Sequence, residues 1–368
     1  MLKWITLGII SFSAFGATSP GTFTSARSEL QKVSQRKLVN WVNELVSTSA
    51  PSRMIGMPGH EKAKSYLIES IKKADQKNSG KFSIVTFNPD AEESKRFYQK
   101  DFDDKVEGKF NKLSPEYSKW LRFTNSMKDL SDKMKDTKGE NIIWEKSGIN
   151  SNKVLVITAH YDTISFDPQT MFIKPNEAMP GANYNASGVA VAMGLIDTLS
   201  QFNLNYSVQI AFLDWQGIGY LGSYQYAKEL VDLKKSGKEI LGVINLEMLG
   251  QDTSFLDKTK KNGNMSVYSR PLTAEENWVK KLQDMGSKVS SKVTFEHKPN
   301  SFENSDTFRF WDQGLNAVTF SQNWEDDFNP KFYQTPLDTP ETLNHETLYQ
   351  SYLFIGGGVL GTLLDLTK

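Results

Sequence analysis

The chain has 368 residues, 43 Lys and Arg against 43 Asp and Glu, four histidines and no cysteine. Zero net charge argues against a general binder of nucleic acid or anionic membranes, which relies on a cationic excess. Without cysteine there is no disulfide framework, thiol catalysis or thiolate zinc site, so any metal must draw on imidazoles and carboxylates. An apolar fraction of 38% fills a real core, and the length suits one large α/β domain or two small ones.

At the N-terminus, Met1-Leu2-Lys3 leads into an apolar run from Ile5 to Phe15, and Ala14-Phe15-Gly16 forms a small-x-small cleavage site. Residues 1–17 therefore read as a secretory signal, too short to span a bilayer. Export of a cysteine-free chain points to a bacterial periplasmic or secreted protein, with residues 18–368 as the mature domain. Helical spacing runs from Ser28 to Ser47 and again from Glu61 to Lys73, separated by the turn-rich segment from Ser52 to His60. Short β-rich runs follow at Phe82 to Phe87, Asn141 to Trp144, Lys153 to Ala159, Ser207 to Leu213, Ile240 to Leu246 and Asn316 to Phe320. Helices are expected at Gly188 to Ser200 and Ser223 to Leu233, and an apolar, Gly-rich terminal helix at Tyr352 to Gly361. This alternation predicts an α/β fold, a mostly parallel central sheet with helices on both faces. One segment breaks the rhythm: residues 91–138 carry 12 Lys and Arg and 10 Asp and Glu, with aromatic and aliphatic residues at near-helical spacing. It reads as a charged helical insertion, a hairpin or lid between two strands, either a solvated excursion or a cap over a site or partner surface.

Polar residues recur where strands end, which in an open α/β sheet borders the ligand crevice. His160-Tyr161-Asp162 ends one buried strand, an imidazole with a carboxylate two residues on to orient it. Then come Gly181-Ala182-Asn183-Tyr184-Asn185-Ala186-Ser187-Gly188, Asp214-Trp215-Gln216-Gly217, Asn245-Leu246-Glu247, Ser305-Asp306-Thr307 and Gln334-Thr335-Pro336-Leu337-Asp338-Thr339. In this order and spacing the motifs, with the upstream Arg53-to-His60 turn, resemble metallopeptidase family 28. These are di-zinc exopeptidases that include bacterial leucyl aminopeptidases, with glutaminyl cyclases as relatives. The resemblance covers roughly residues 40–365 without the charged insertion.

The resemblance implies two metals about 3.5–4 Å apart, bridged by a carboxylate and clamping a water. His160 matches a ligand and Asp162 its orienting partner. Tyr184 stands at the bridging Asp, and a phenol with an ordinary pKa of about 10 is a poor bridge. Gln216 stands at the general acid/base Glu and Gly217 at the adjacent metal-binding Glu. Glu247 replaces an Asp, Gln334 replaces the last ligand His, and Thr307 replaces a further His. His160 and Glu247 would be a residual metal pair, fewer than the three protein ligands usual for catalytic zinc.

The expected function is therefore that of a non-catalytic peptide- or protein-binding member of the fold, with no cofactor, no nucleic-acid partner and no membrane span. The alternative is an active metal-dependent exopeptidase or acyltransferase with a site rebuilt from His160, Glu247, Asp214 as substitute acid/base, and His297; zinc belongs to that alternative. A third reading is an interaction module acting through residues 91–138. His60 is expected to cap a helix near Glu61 or lie on the surface, His297 to be exposed in a loop, and His345 to start a helix. Tyr184, Trp215, Tyr220 and Trp324 are candidates to line an aromatic pocket, while Tyr184 and Trp215 also suit simple filling of space.

Overall fold

A computed structural model describes residues 20–366 apart from 168, 169, 171, 175, 176, 252–263, 303 and 329. The stretch read as an export signal lies outside the described residues. The strands are β1 (Lys81–Phe87), β2 (Gly139–Lys146), β3 (Asn150–His160), β4 (Tyr206–Leu213), β5 (Glu239–Leu246), β6 (Asn264–Tyr268), β7 (Thr294–Lys298) and β8 (Ala317–Gln322). They form one sheet in the order β1-β2-β4-β3-β5-β8-β6-β7. Its centre, β4-β3-β5-β8, is parallel, and β1, β2 and β6 join by antiparallel pairings. The near-continuous apolar run of β3 is buried from Val154 to His160, as a central strand covered on both faces should be.

The helices are α1 (Phe23–Leu30), α2 (Gln35–Thr48), α3 (Pro58–Ala74), α4 (Ala91–Lys105), α5 (Pro115–Met134), α6 (Ser187–Leu199), α7 (Leu221–Lys235), α8 (Ala274–Val289), α9 (Thr307–Asp312) and α10 (His345–Leu364). The apolar faces of α1, α2, α3, α6 and α10 fill one side of the sheet, and α7 and the α9 region fill the other. Where α7 starts beside the end of β4, a Cβ on Gly222 would lie 1.9 Å from the Asp214 carbonyl oxygen, so only glycine allows that approach.

Two expectations need correction. The single helix read from Ser28 to Ser47 is two, because the Ser34 side chain accepts a hydrogen bond from Lys37 N and caps a fresh start at Gln35. The helix expected near Glu61 begins at Pro58, which suits a first helical turn. Strands β6 and β7, five residues each, and helix α8 had no counterpart among the expectations, although α8 carries Val279, Leu282 and Val289 at helical spacing.

Helices α4 and α5 form a hairpin between edge strand β1 and its neighbour β2. They pack through an edge-on Phe102–Tyr117 contact, a Ser94–Ser131 hydroxyl pair at 2.8 Å and a Lys95–Asp132 ion pair. The hairpin is docked, since Tyr98 Oη donates to Gly217 O at 3.1 Å and accepts from Gly219 N at 3.0 Å. Arg309 Nη1 reaches Glu93 of α4 at 2.5 Å.

Candidate active-site cleft

The carboxyl ends of the parallel strands converge beneath the α4–α5 hairpin. His160 closes β3, Asp214 follows β4 and Glu247 follows β5, and all three are buried. Four residues of the surrounding turns, Trp215, Tyr220, Met248 and Gln334, adopt left-handed φ values of 53–58° although none is glycine. Such positions cost about 1–3 kcal/mol each and persist only where the surroundings over-determine them.

Arg53 organises the floor of this region. Its fully buried guanidinium donates to the carbonyls of Tyr161 at 2.7 Å, Pro180 at 2.6 Å and Gly181 at 2.8 Å. Burial lowers it to about 10, against the pull of Asp338 and Asp162. Asp338 accepts from Asn183 N and Tyr184 N at 2.8 and 2.9 Å, and burial raises its carboxyl to about 6 despite those bonds. The Asn185 side chain spans to Leu246 O and Met248 N, so the Gly-Ala-Asn-Tyr-Asn turn is fastened to the end of β5.

At the positions the sequence singled out, the Tyr184 hydroxyl donates to Gln216 Oε1 in a short hydrogen bond. The Tyr184 ring lies 4.8 Å from the His160 ring and edge-on to Tyr333. The orientation of His160 differs from expectation: its Nδ1 meets the main-chain oxygen of Asp162 at 3.1 Å, and the carboxylate is 3.8 Å away. The Asp162 carboxylate is engaged instead by Gln216 N and Gly217 N at 3.0 and 2.9 Å. Burial and the neighbouring Asp214 hold its pKa well above the usual carboxylate range. His160 Nε2 is buried without a partner, and burial lowers the ring to about 3, so it is neutral. Among the described residues Glu247 accepts from Asn245 Nδ2, at 3.3 Å; burial, with Asp306 adding, pushes its carboxyl well up. Gly217 leaves no room for a side chain, since a Cβ there would lie 2.9 Å from Ile164 Cβ and 3.3 Å from the Asp162 carboxylate.

The proposed substitutes lie elsewhere. Asp214 accepts from His60 at 2.8 Å and from Glu140 N and Trp215 N, so its carboxylate is spent in a buried network. His60, expected as a cap or surface group, is 4% exposed and stacked on Tyr161 at 5.4 Å; burial lowers its pKa, but Asp214, Asp162 and Glu61 outweigh that and the net shift is upward. His297, expected in an exposed loop, sits in β7, half-buried, 2.8 Å from Ser269 Oγ. His345 does start α10. Asp214 is thus paired with His60 and His297 with Ser269. Among the described residues no three His, Asp or Glu side chains are grouped so as to hold a metal ion.

A cavity of about 370 Å³ opens in front of Tyr184 and Gln216. Tyr184 and Tyr220 line it as expected, whereas Trp215 is buried in the adjoining cluster and Trp324 packs behind Tyr333. The walls that sequence reasoning did not assign come from the hairpin: Phe97, Tyr98, Trp120, Phe123 and Met127. Their signal was the aromatic spacing within residues 91–138. No described helix is long and apolar enough to cross a membrane.

Residues 141–355 match the sequence family described as peptidase family M28. Aminopeptidase YwaD of Bacillus subtilis is 25% identical over 218 residues, covering 58% of this chain and 42% of that protein. Leucine aminopeptidase 2 of Trichophyton rubrum is 30% identical over 162 residues, covering 44% of this chain and 29% of that protein. The chain therefore spans less than half the length of these curated relatives. Among solved structures, BSAP, a zinc aminopeptidase from Bacillus subtilis, matches with a TM-score of 0.62 at 17% identity, covering 95% of this chain and 97% of that one. A glutaminyl cyclase from Bacteroides thetaiotaomicron matches with a TM-score of 0.60 at 15% identity, covering 90% and 98%. At such identities the likeness is one of fold.

Proposed function

The chain belongs to peptidase family M28, and from that membership we propose that it is an exported, non-catalytic binding protein, retaining the aminopeptidase fold without its two-metal chemistry. The observation that carries this reading is the Tyr184–Gln216 hydrogen bond. It joins, as phenol and amide, the two positions that the resemblance matches to a bridging carboxylate and a general base. General acid/base catalysis contributes about 10²–10⁴-fold, and an amide does not take a proton near neutral pH. The donor set does not fit a zinc pair: His160 Nε2 and Glu247 are left as imidazole and carboxylate, Gly217 has no room for a ligand side chain, and Gln334 offers only an amide. The α4–α5 hairpin acts in this reading as a cap over the cleft, and the ligand is a peptide or a segment of a protein. The test is release of aminoacyl dyes by the purified protein with zinc added and with a chelator. No release above background in either condition is expected; chelator-sensitive release would overturn the reading.

A further inference from the structure

The charge of the cavity is as informative as its shape. Asp101 and Lys105 are the only charged side chains among the described residues lining it. They neutralise one another across one helical turn at 2.5 Å, and Lys105 also reaches Asn304 at 3.1 Å. The buried charges nearby stand outside the lining: Glu247 meets Asn245 Nδ2 at 3.3 Å, and Asp306 keeps one carboxylate oxygen, Oδ2, without a partner. The Asp162 carboxylate holds Gln216 N and Gly217 N, and Asp306 accepts from Ser223 Oγ at 2.6 Å. Arg53 serves backbone carbonyls, and Arg309 serves Glu93 and Gly219 O. An ammonium or carboxylate entering the cavity would lose its hydration and meet, among the described lining residues, only the already paired Asp101 and Lys105.

What the inner end does offer is neutral and polar. Gln216 Oε1 accepts the Tyr184 proton, which turns the Gln216 amide nitrogen to other acceptors. Gln334, Tyr220 and Tyr333 line the same space. Around them stand the rings of Phe97, Phe123 and Phe166. At the mouth, Phe110 and Trp120 line the cavity while 39% and 38% exposed, so an apolar path leads in from solvent. The volume of about 370 Å³ falls in the range of small-molecule sites.

We infer that the cavity binds an uncharged group in which an aromatic ring is joined to a carboxamide, and that it discriminates against a free α-ammonium. Resting on the non-catalytic reading above, the inference reverses the preference expected of a protein that selects chain ends by their charge. The ligand is then an internal or N-blocked aromatic residue of a peptide, or a small aromatic amide. Rings stack on the walls, and the carboxamide exchanges hydrogen bonds with Gln216 and Gln334.

The experiment is calorimetric titration of the full chain with N-acetylphenylalaninamide, phenylalaninamide and N-acetylphenylalanine. These probes share the ring and differ in carrying no charge, an ammonium and a carboxylate. The neutral probe is expected to bind at least about tenfold more tightly than either ion. A blocked neutral tripeptide with a central Phe separates the two sources: tighter binding than the single residue indicates a peptide, and exclusion indicates a small molecule, both in support of the neutral chemistry. In Gln216→Glu, which keeps an acceptor for Tyr184 and adds a charge, the order should swing toward phenylalaninamide; should that variant fail to fold, the three-probe comparison decides alone. Equal or tighter binding of unchanged phenylalaninamide, or no binding of any probe, overturns this inference and leaves the non-catalytic reading standing. Ammonia release from phenylalaninamide overturns the non-catalytic reading itself.

Discussion

Replacing Tyr184 with Phe removes one oxygen and keeps the ring. Tyr184 and Gln216 are 1% and 3% exposed, and the deleted hydroxyl is the donor to Gln216 Oε1. A side-chain hydrogen bond contributes about 0.5–1.5 kcal/mol net, and a buried acceptor left unpaired costs about 1–3 kcal/mol. Gln216 borders the cavity, where water can take over part of the lost bond, so Tyr184→Phe should destabilise by about 1–2 kcal/mol. The assay is equilibrium urea unfolding, in which the midpoint falls while the slope stays constant. Combining it with Gln216→Leu should be less than additive by about 0.5–1.5 kcal/mol, because both changes remove the same bond. A Tyr184→Phe protein as stable as the parent, or more so, would refute the reasoning: the phenol would then be free for another partner and the two positions would not be closed on each other.

Two further outcomes follow from the buried charges. His60→Ala leaves the Asp214 carboxylate buried without its imidazole and should cost about 3–5 kcal/mol. Because the folded-state pKa of His60 is raised above its ordinary 6.5, the charged pair contributes fully below that value and fades as pH rises through the folded value; the cost in urea unfolding should be larger at acid than at alkaline pH, and a reversed dependence would contradict the pairing. Arg53→Met strands at least three buried carbonyls, those of Tyr161, Gly181 and Tyr184. At about 1–3 kcal/mol for each unpaired group, the variant should lose more than about 3 kcal/mol in the same measurement or fail to accumulate as folded protein.

The central strands were legible because parallel strands covered on both faces are apolar along their whole length, as from Val154 to Ala159. Strand β7, Thr-Phe-Glu-His-Lys, is half-buried at an edge and reads like a loop. Ser34 carried its capping signal in the sequence, yet the apolar spacing on both sides masked the break. The strand-end placement of His160, Asp214 and Glu247 was legible too, since each closes or follows an apolar run. What no spacing could give is the pairing of His60 with Asp214, which lie 154 residues apart, or the use of the Asp162 carboxylate by the 216–217 backbone in place of His160. Such partnerships arise from where a chain turns back, and the residue types alone permit several. The same holds for the hairpin: its aromatic spacing announced helices, but the face turned to the cleft is set by Tyr98 clasping the loop at Gly217 and Gly219.

Metal content by elemental analysis of the purified chain, after growth with zinc and again after incubation with zinc and desalting, tests the central claim most directly. On the proposal that Tyr184, Gly217 and Gln334 stand at former ligand positions, zinc is expected well below one ion per chain in both samples. A stoichiometry of about two zinc ions per chain, as a two-metal centre requires, would contradict it.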